Sequence, residues 1–124
     1  MIERCYVGID KTENDEWMVV WSDQGKLNFS RPYKNTPLEI QSLVGFISEH
    51  CEKPKICLNS ANPAAFNLVT QVSSIPGVEV ILMSKAGLRL HLNWLPKDLP
   101  DISQTFQNDT RRAYWMACCA ERMI

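Results

Sequence analysis

Cys5-Tyr6-Val7-Gly8-Ile9-Asp10 is the segment on which the architecture turns. A short apolar run delivers one carboxylate, and polar sequence from Lys11 to Glu16 follows at once. Arg4 to Asp10 and Trp17 to Ser22 are rich in the β-branched and aromatic side chains that suit a pleated, half-buried surface. Leu27-Asn28-Phe29-Ser30-Arg31 alternates with the period of a half-exposed strand. Gly25 between the last two makes them a hairpin. Three strands therefore open the chain, and Asp10 stands at the end of the first.

Working outward, Thr36-Pro37-Leu38-Glu39 reads as a capping box: threonine caps, glutamate reaches back, and proline fills the first helical position. Leu38, Leu43, Phe46 and Ile47, with Ile40 and Val44 beside them, predict a broad apolar helix face running towards His50. Lys55-Ile56-Cys57-Leu58 predicts a buried fourth strand, ending in Asn59-Ser60-Ala61-Asn62-Pro63. Asn62 as N-cap and Pro63 at the first position start a second helix that runs to about Ser74. Pro76-Gly77 turns the chain into a fifth strand, Val78 to Met83. Lys85 to Leu95 is compatible with a helix, Pro96 to Pro100 is a breaker-rich loop, and Asn108 to Met123 predicts a terminal helix. The order βββαβαβα implies an α/β fold, a five-stranded mixed sheet with helices on both faces.

Composition sets limits. A chain of 124 residues with 45% hydrophobic and 22% charged residues fits one globular domain, residues 1–124, without repeats. No run approaches the roughly 20 apolar residues that cross a bilayer, so no membrane partner is expected. Met1-Ile2-Glu3-Arg4 lacks the form of a secretory signal. The five cysteines, at 5, 51, 57, 118 and 119, contain no C-x-x-C pair, and neither a zinc motif nor a disulfide framework follows from their spacing. A reducing, cytoplasmic protein is the expectation. The formal net charge of −1 argues against a dedicated nucleic-acid binder, because phosphate recognition draws on Lys and Arg; a local basic face is still compatible with it.

Val7-Gly8-Ile9-Asp10, the Gly25 turn, the Asn35-Thr36-Pro37 helix entry, Asn59-Ser60-Ala61-Asn62-Pro63 after the fourth strand, and Asp109 to Ala113 together carry a resemblance. In order and spacing they resemble the N-terminal domain of the DEDD insertion-sequence transposases, a ribonuclease-H-like domain akin to Holliday-junction resolvases. The similarity spans nearly the whole chain. It implies a ribonuclease-H-like fold and, in that family, four acidic residues that bind divalent metal. Asp10 corresponds to the first. Asn59 stands where the resemblance implies a glutamate. Asp109 matches the first acid of an Asp-x-x-Asp-Ala motif, and Arg112, just before Ala113, replaces the second. The family's separate C-terminal domain, with its catalytic serine, has no counterpart in these residues.

These replacements bear on chemistry. Two-metal phosphoryl transfer needs several carboxylates around cations held roughly 3.5–4 Å apart. Asparagine in place of glutamate keeps an oxygen and loses a charge. Arginine in place of aspartate puts a permanent cation where the family has an anion. Pairing of Arg112 with Asp10, Asp109 or both is therefore expected to replace the missing metal charge. No cofactor is expected; Mg²⁺ or Mn²⁺, held by Asp10, Asp109 and Asn59, belongs to the alternative in which the site is functional.

Each of these residues also has a plain structural role open to it. Asp10 suits a strand-end turn, Asn59 a loop, and Asp109 the first turn of a helix, where a negative charge is favoured. His50 and His91 read as surface or helix-end residues, and Cys118-Cys119 as packing residues. Lys85, Arg89, His91 and Lys97, with Trp94 nearby, form the candidate nucleic-acid face; a solvated helix face is the other reading. Tyr114, Trp115 and Met116 make the terminal helix apolar on more than one side, so it either packs fully into the domain or shares that surface with a second copy.

The expected function is that of a transposase-like ribonuclease-H-fold domain, catalytically degenerate, that binds DNA, RNA or a protein partner. Two alternatives stand beside it. One is an active Mg²⁺- or Mn²⁺-dependent DNA or RNA endonuclease or resolvase. The other is a purely structural oligomeric module, such as a homodimer built through the terminal helix.

Overall fold

A computed structural model of the chain describes residues 2–12, 14–23, 26–59, 65–83 and 108–122, with the backbone alone described at 2, 3, 23, 26–28, 59, 108–112, 115 and 122. The elements are β1 (Ile2–Lys11), β2 (Glu16–Asp23), β3 (Lys26–Lys34), α1 (Pro37–His50), β4 (Cys51–Asn59), α2 (Ala65–Val72), β5 (Glu79–Met83) and α3 (Asn108–Arg122). They form an α/β fold around one five-stranded mixed sheet in the order β3-β2-β1-β4-β5. β1, β2 and β3 pair antiparallel, while β4 and β5 add to β1 in parallel.

Period-two alternation sorts β1 between two layers. Cys5, Val7 and Ile9 join the larger core with Ile40, Leu43 and Ile47 of α1 and Ala65, Leu68 and Val72 of α2. Tyr6, Gly8 and Asp10 take the opposite face, which α3 covers. There Ala113, Tyr114 and Cys118 pack on Met18 and Val20 of β2. Met116, Cys119 and Ala120 pack on Cys57 and Met83 of β4 and β5. Helices therefore lie on both faces. Among the described residues, no helix is long and apolar enough to cross a membrane.

Gly8 is what lets α3 sit down. A Cβ placed there would run into the Ala113 carbonyl oxygen and would lie 2.6 Å from the Ala117 backbone nitrogen. Neither backbone atom can swing aside, so only glycine allows the helix this close to the strand. Ala113 and Ala117, one turn apart, bring the helix backbone itself against β1.

α1 starts where its sequence says. Thr36 is extended (φ −126°, ψ 154°), and its hydroxyl accepts from the Glu39 N–H at 3.3 Å. The reciprocal half of the expected box is corrected: the Thr36 N–H donates to the Lys34 carbonyl at 2.8 Å, which leaves Glu39 no donor to reach back to. Leu38 is also corrected. It is 75% exposed, because it lies two residues, about 200° of helix, before Ile40, which with Leu43 and Ile47 faces the sheet.

β3 and β4 run longer than the alternation in their sequences shows, through Pro32 and Pro54. Pro32 is on an edge strand. Pro54 lies just before Lys55, where pairing with β5 begins, so β4 has a neighbour on one side only at that point.

The expectation of no disulfide is corrected as well. Cys5 and Cys51 are bonded, with Cα atoms 6.3 Å apart, across a separation of 46 residues. Spacing could not reveal the pair, because the crossover through β2, β3 and α1 is what returns Cys51 to β1. Cys57, Cys118 and Cys119 are buried free thiols.

Of the two roles open to the terminal helix, Tyr114 and Met116 take packing into their own domain. They are 0% and 1% exposed within a single chain, buried against the sheet. α3 uses these two side chains for its own domain; the Trp115 side chain lies outside those described.

Candidate functional site

Asp10 closes β1 at the hydrogen-bonded centre of the sheet, between β2 and β4, and is 1% exposed. It is followed by a tight connection in which Thr12 does most of the bonding. The Thr12 hydroxyl accepts from the Asn14 and Glu16 N–H groups, each at 3.2 Å, and its own N–H donates to the Glu16 carbonyl at 2.8 Å. Asp15 takes a left-handed conformation (φ 57°) and pairs with Lys11 at 2.9 Å. It also accepts from the Asn35 side-chain amide at 3.2 Å, and Asn35 in turn accepts from the Trp17 indole at 3.0 Å. Hydrogen bonding to Lys11 and then Asn35 holds the Asp15 carboxyl below its ordinary value. The loop that fixes the end of β1 is thus tied to β2 and to the entry of α1.

The backbone brings the other sequence-predicted positions to the same end of the sheet. Ile9 pairs with Leu58, so position 59, the last of β4, lies beside position 10. α3 runs antiparallel to β1: Ala113 lies over Gly8, Ala120 belongs to the cluster on which Tyr6 packs, and Glu121 lines the same cleft as Arg4. From Gly8 to Asp10 is about 7 Å of strand. From Ala113 back to position 109 is about 6 Å of helix in the same direction. Positions 10, 59, 109 and 112 therefore share one end of the α3 face. Lys85, Arg89, His91 and Lys97 lie outside the described residues.

Beside Asp10 is a group that the sequence reading placed in the core without linking it to this end. Cys57 precedes position 59 by two residues, on the same side of β4, and is fully buried. Burial, then the neighbouring Cys119, then the charge of Asp10 push its thiol up to about 12. It stays protonated at neutral pH, where a thiol is a poor nucleophile. The signal that could have found it was the i, i+2 spacing from Asn59.

Among the described residues, no three His, Cys, Asp or Glu side chains are grouped to hold a metal ion; the Asp109 side chain is outside that set. Mg²⁺ and Mn²⁺ want several oxygen ligands, and among the described side chains this end supplies one carboxylate, that of Asp10. What the described arrangement does is bury a single acid. A carboxylate out of water needs donors or a cation nearby. The first turn of α3 lies at that end, and a helix start offers both unpaired N–H groups and positive potential.

His50 is exposed and committed to packing at the end of α1. The Phe46 carbonyl accepts from its Nδ1 at 2.8 Å, and its ring stacks on Phe46 at 4.3 Å.

No family model matches the chain, and no curated protein matches it.

Proposed function

We propose that this chain is a ribonuclease-H-like domain of the transposase type, in which the metal-holding end has been disarmed and which binds nucleic acid without cutting it. The observation that carries the reading is the burial of Asp10 at the end of the central strand, with asparagine at position 59 and arginine at position 112 at the same end of the sheet. The three antiparallel strands followed by two parallel ones support the same reading, since that is the layout the motif order implies. In this account the Arg112 guanidinium and the start of α3 supply the positive charge that Asp10 needs, in place of a cation. A cytoplasmic setting, where nucleic acid is at hand, belongs to the proposal.

The test is a cleavage and binding assay run together. Branched and single-stranded DNA and RNA are incubated with Mn²⁺ or Mg²⁺, and binding is followed by gel shift. Salt-sensitive binding with intact substrate is expected. Metal-dependent cleavage that disappears in Asp10→Ala would establish the active nuclease instead. Absence of any nucleic-acid binding would leave a protein partner as the remaining reading.

A further inference from the structure

At the opposite end of the α3 face the sheet is open, and its chemistry is reversed. Register puts Arg4 of β1 opposite Lys53 of β4, and in the next row Tyr6, Lys55 and Glu79 stand side by side across β1, β4 and β5. Period-two alternation turns all five to the α3 side, but the helix reaches this end only with its last turn, at Glu121. These residues, with Pro54 and Gly77, line a cleft of about 320 Å³. Gly77 shapes one wall: it has φ +76°, and a Cβ there would lie 2.7 Å from the Glu52 carbonyl oxygen, so the turn packs directly on β4. Arg4 lies six residues before Asp10, about 20 Å along the strand.

Like charges placed directly opposite one another on neighbouring strands destabilise a sheet. Arg4 and Lys53 are such a pair, and Lys55 adds a third cation on the same face. Among the described residues none of the three makes an ion pair within 4.0 Å. The cluster sits in a protein whose formal net charge is −1, so it is local and not a by-product of a basic composition. Glu79 stands opposite Lys55 and offsets part of that charge, but Arg4 and Lys53 face each other with Gly77, not an acid, on the next strand side, and an anion there would turn their repulsion into attraction through charge-assisted hydrogen bonds. The half-buried Tyr6 ring offers a flat apolar surface beside them, and Glu79 offers an acceptor at the rim. The size falls at the small end of ligand pockets.

We infer that this cleft binds the phosphate of a nucleotide unit, with Arg4, Lys53 and Lys55 on the phosphate, Tyr6 against the ring, and Glu79 accepting from its N–H or O–H groups. The inference stands apart from the reading of the Asp10 end, because a free nucleotide would satisfy the cleft as well as one within a strand.

The experiment titrates AMP, inorganic phosphate and a short oligothymidylate into the whole chain, following amide shifts by NMR and affinity by calorimetry. Expected are shifts centred on Arg4, Tyr6, Lys53, Lys55 and Gly77, with AMP or the oligonucleotide binding more tightly than phosphate. The Lys53→Ala/Lys55→Ala variant should lose roughly tenfold or more in affinity. For the oligonucleotide, the salt dependence should flatten by about 0.7 per lost contact. Saturation by AMP alone would assign a free nucleotide, and by the oligonucleotide alone a strand; either sustains the site. Phosphate binding as tightly as AMP would overturn the nucleotide assignment. Shifts confined to the Asp10 end, unchanged affinity in the variant, or no binding of any probe would overturn the site itself. Arg4→Gln, on an exposed side chain, carries the same test should the double variant fold poorly.

Discussion

The two faces of the sheet are covered in different ways. On one, α1 and α2 present large aliphatic side chains, and Ile40, Leu43, Ile47, Leu68 and Val72 interlock with Val7, Ile9, Ile56 and Leu58. On the other, α3 approaches through Gly8, Ala113 and Ala117 until backbone nearly meets backbone. The first kind of contact loses a side chain's worth of packing when one residue is trimmed. The second fails in the other direction, when anything is added, because there is no space to give. A face built on small residues is thus the more easily broken by enlargement.

The sharpest way to break that contrast is Gly8→Val. It should cost more than about 4 kcal/mol and prevent α3 from docking, whereas a conventional cavity mutation rarely costs so much. Urea unfolding followed by circular dichroism reads it; a midpoint near that of the unaltered chain would mean that α3 does not seat on β1.

Next comes the Cys5–Cys51 bridge, which belongs to the larger core. Closing a loop with a separation of 46 residues restricts the unfolded chain by about 4 kcal/mol on the chain-entropy account. Unfolding with and without reductant should differ by that order. Trapping thiols at lysis and weighing the peptides reports whether the pair is joined inside the cell.

Leu43→Ala, at a fully buried site on the α1 side, should cost about 3 kcal/mol. Leu38→Ala, on the same helix but 75% exposed, should stay within about 0.5 kcal/mol. Equal effects at the two would contradict the assigned helix face.

The smallest effect lies at the connection after β1. The Asp15 carboxyl is held below its ordinary 3.8, so its contribution is present above that value and is lost as pH falls through its lower folded value. NMR titration should show the Asp15 midpoint rising towards 3.8 in Lys11→Ala, with little change in overall stability. An unmoved midpoint would remove Lys11 as the cause.

How much of this was legible in the sequence depends on distance along the chain. The β1 run, the threonine cap with its proline, the Pro76-Gly77 turn and the final helix each rest on neighbours within a few residues, and element order followed from them. What packs on Gly8 was not readable, because α3 lies about a hundred residues further along the chain. Contacts made by register were invisible: Cys5 with Cys51, Cys57 beside Asp10, and Arg4 opposite Lys53 are brought together only by the parallel crossover onto β4. The basic residues from Lys85 to Lys97 are legible as a group because they lie close together along the chain. The cationic cleft went unnoticed because its three charges come from two strands separated by almost fifty residues.

The proposed disarmament of the Asp10 end requires that it hold no catalytic cation. Calorimetric titration with Mn²⁺ tests it most directly: the account predicts no specific binding to the chain, and the same flat trace in Asp10→Ala. A stoichiometric Mn²⁺ site that vanishes in Asp10→Ala would contradict it.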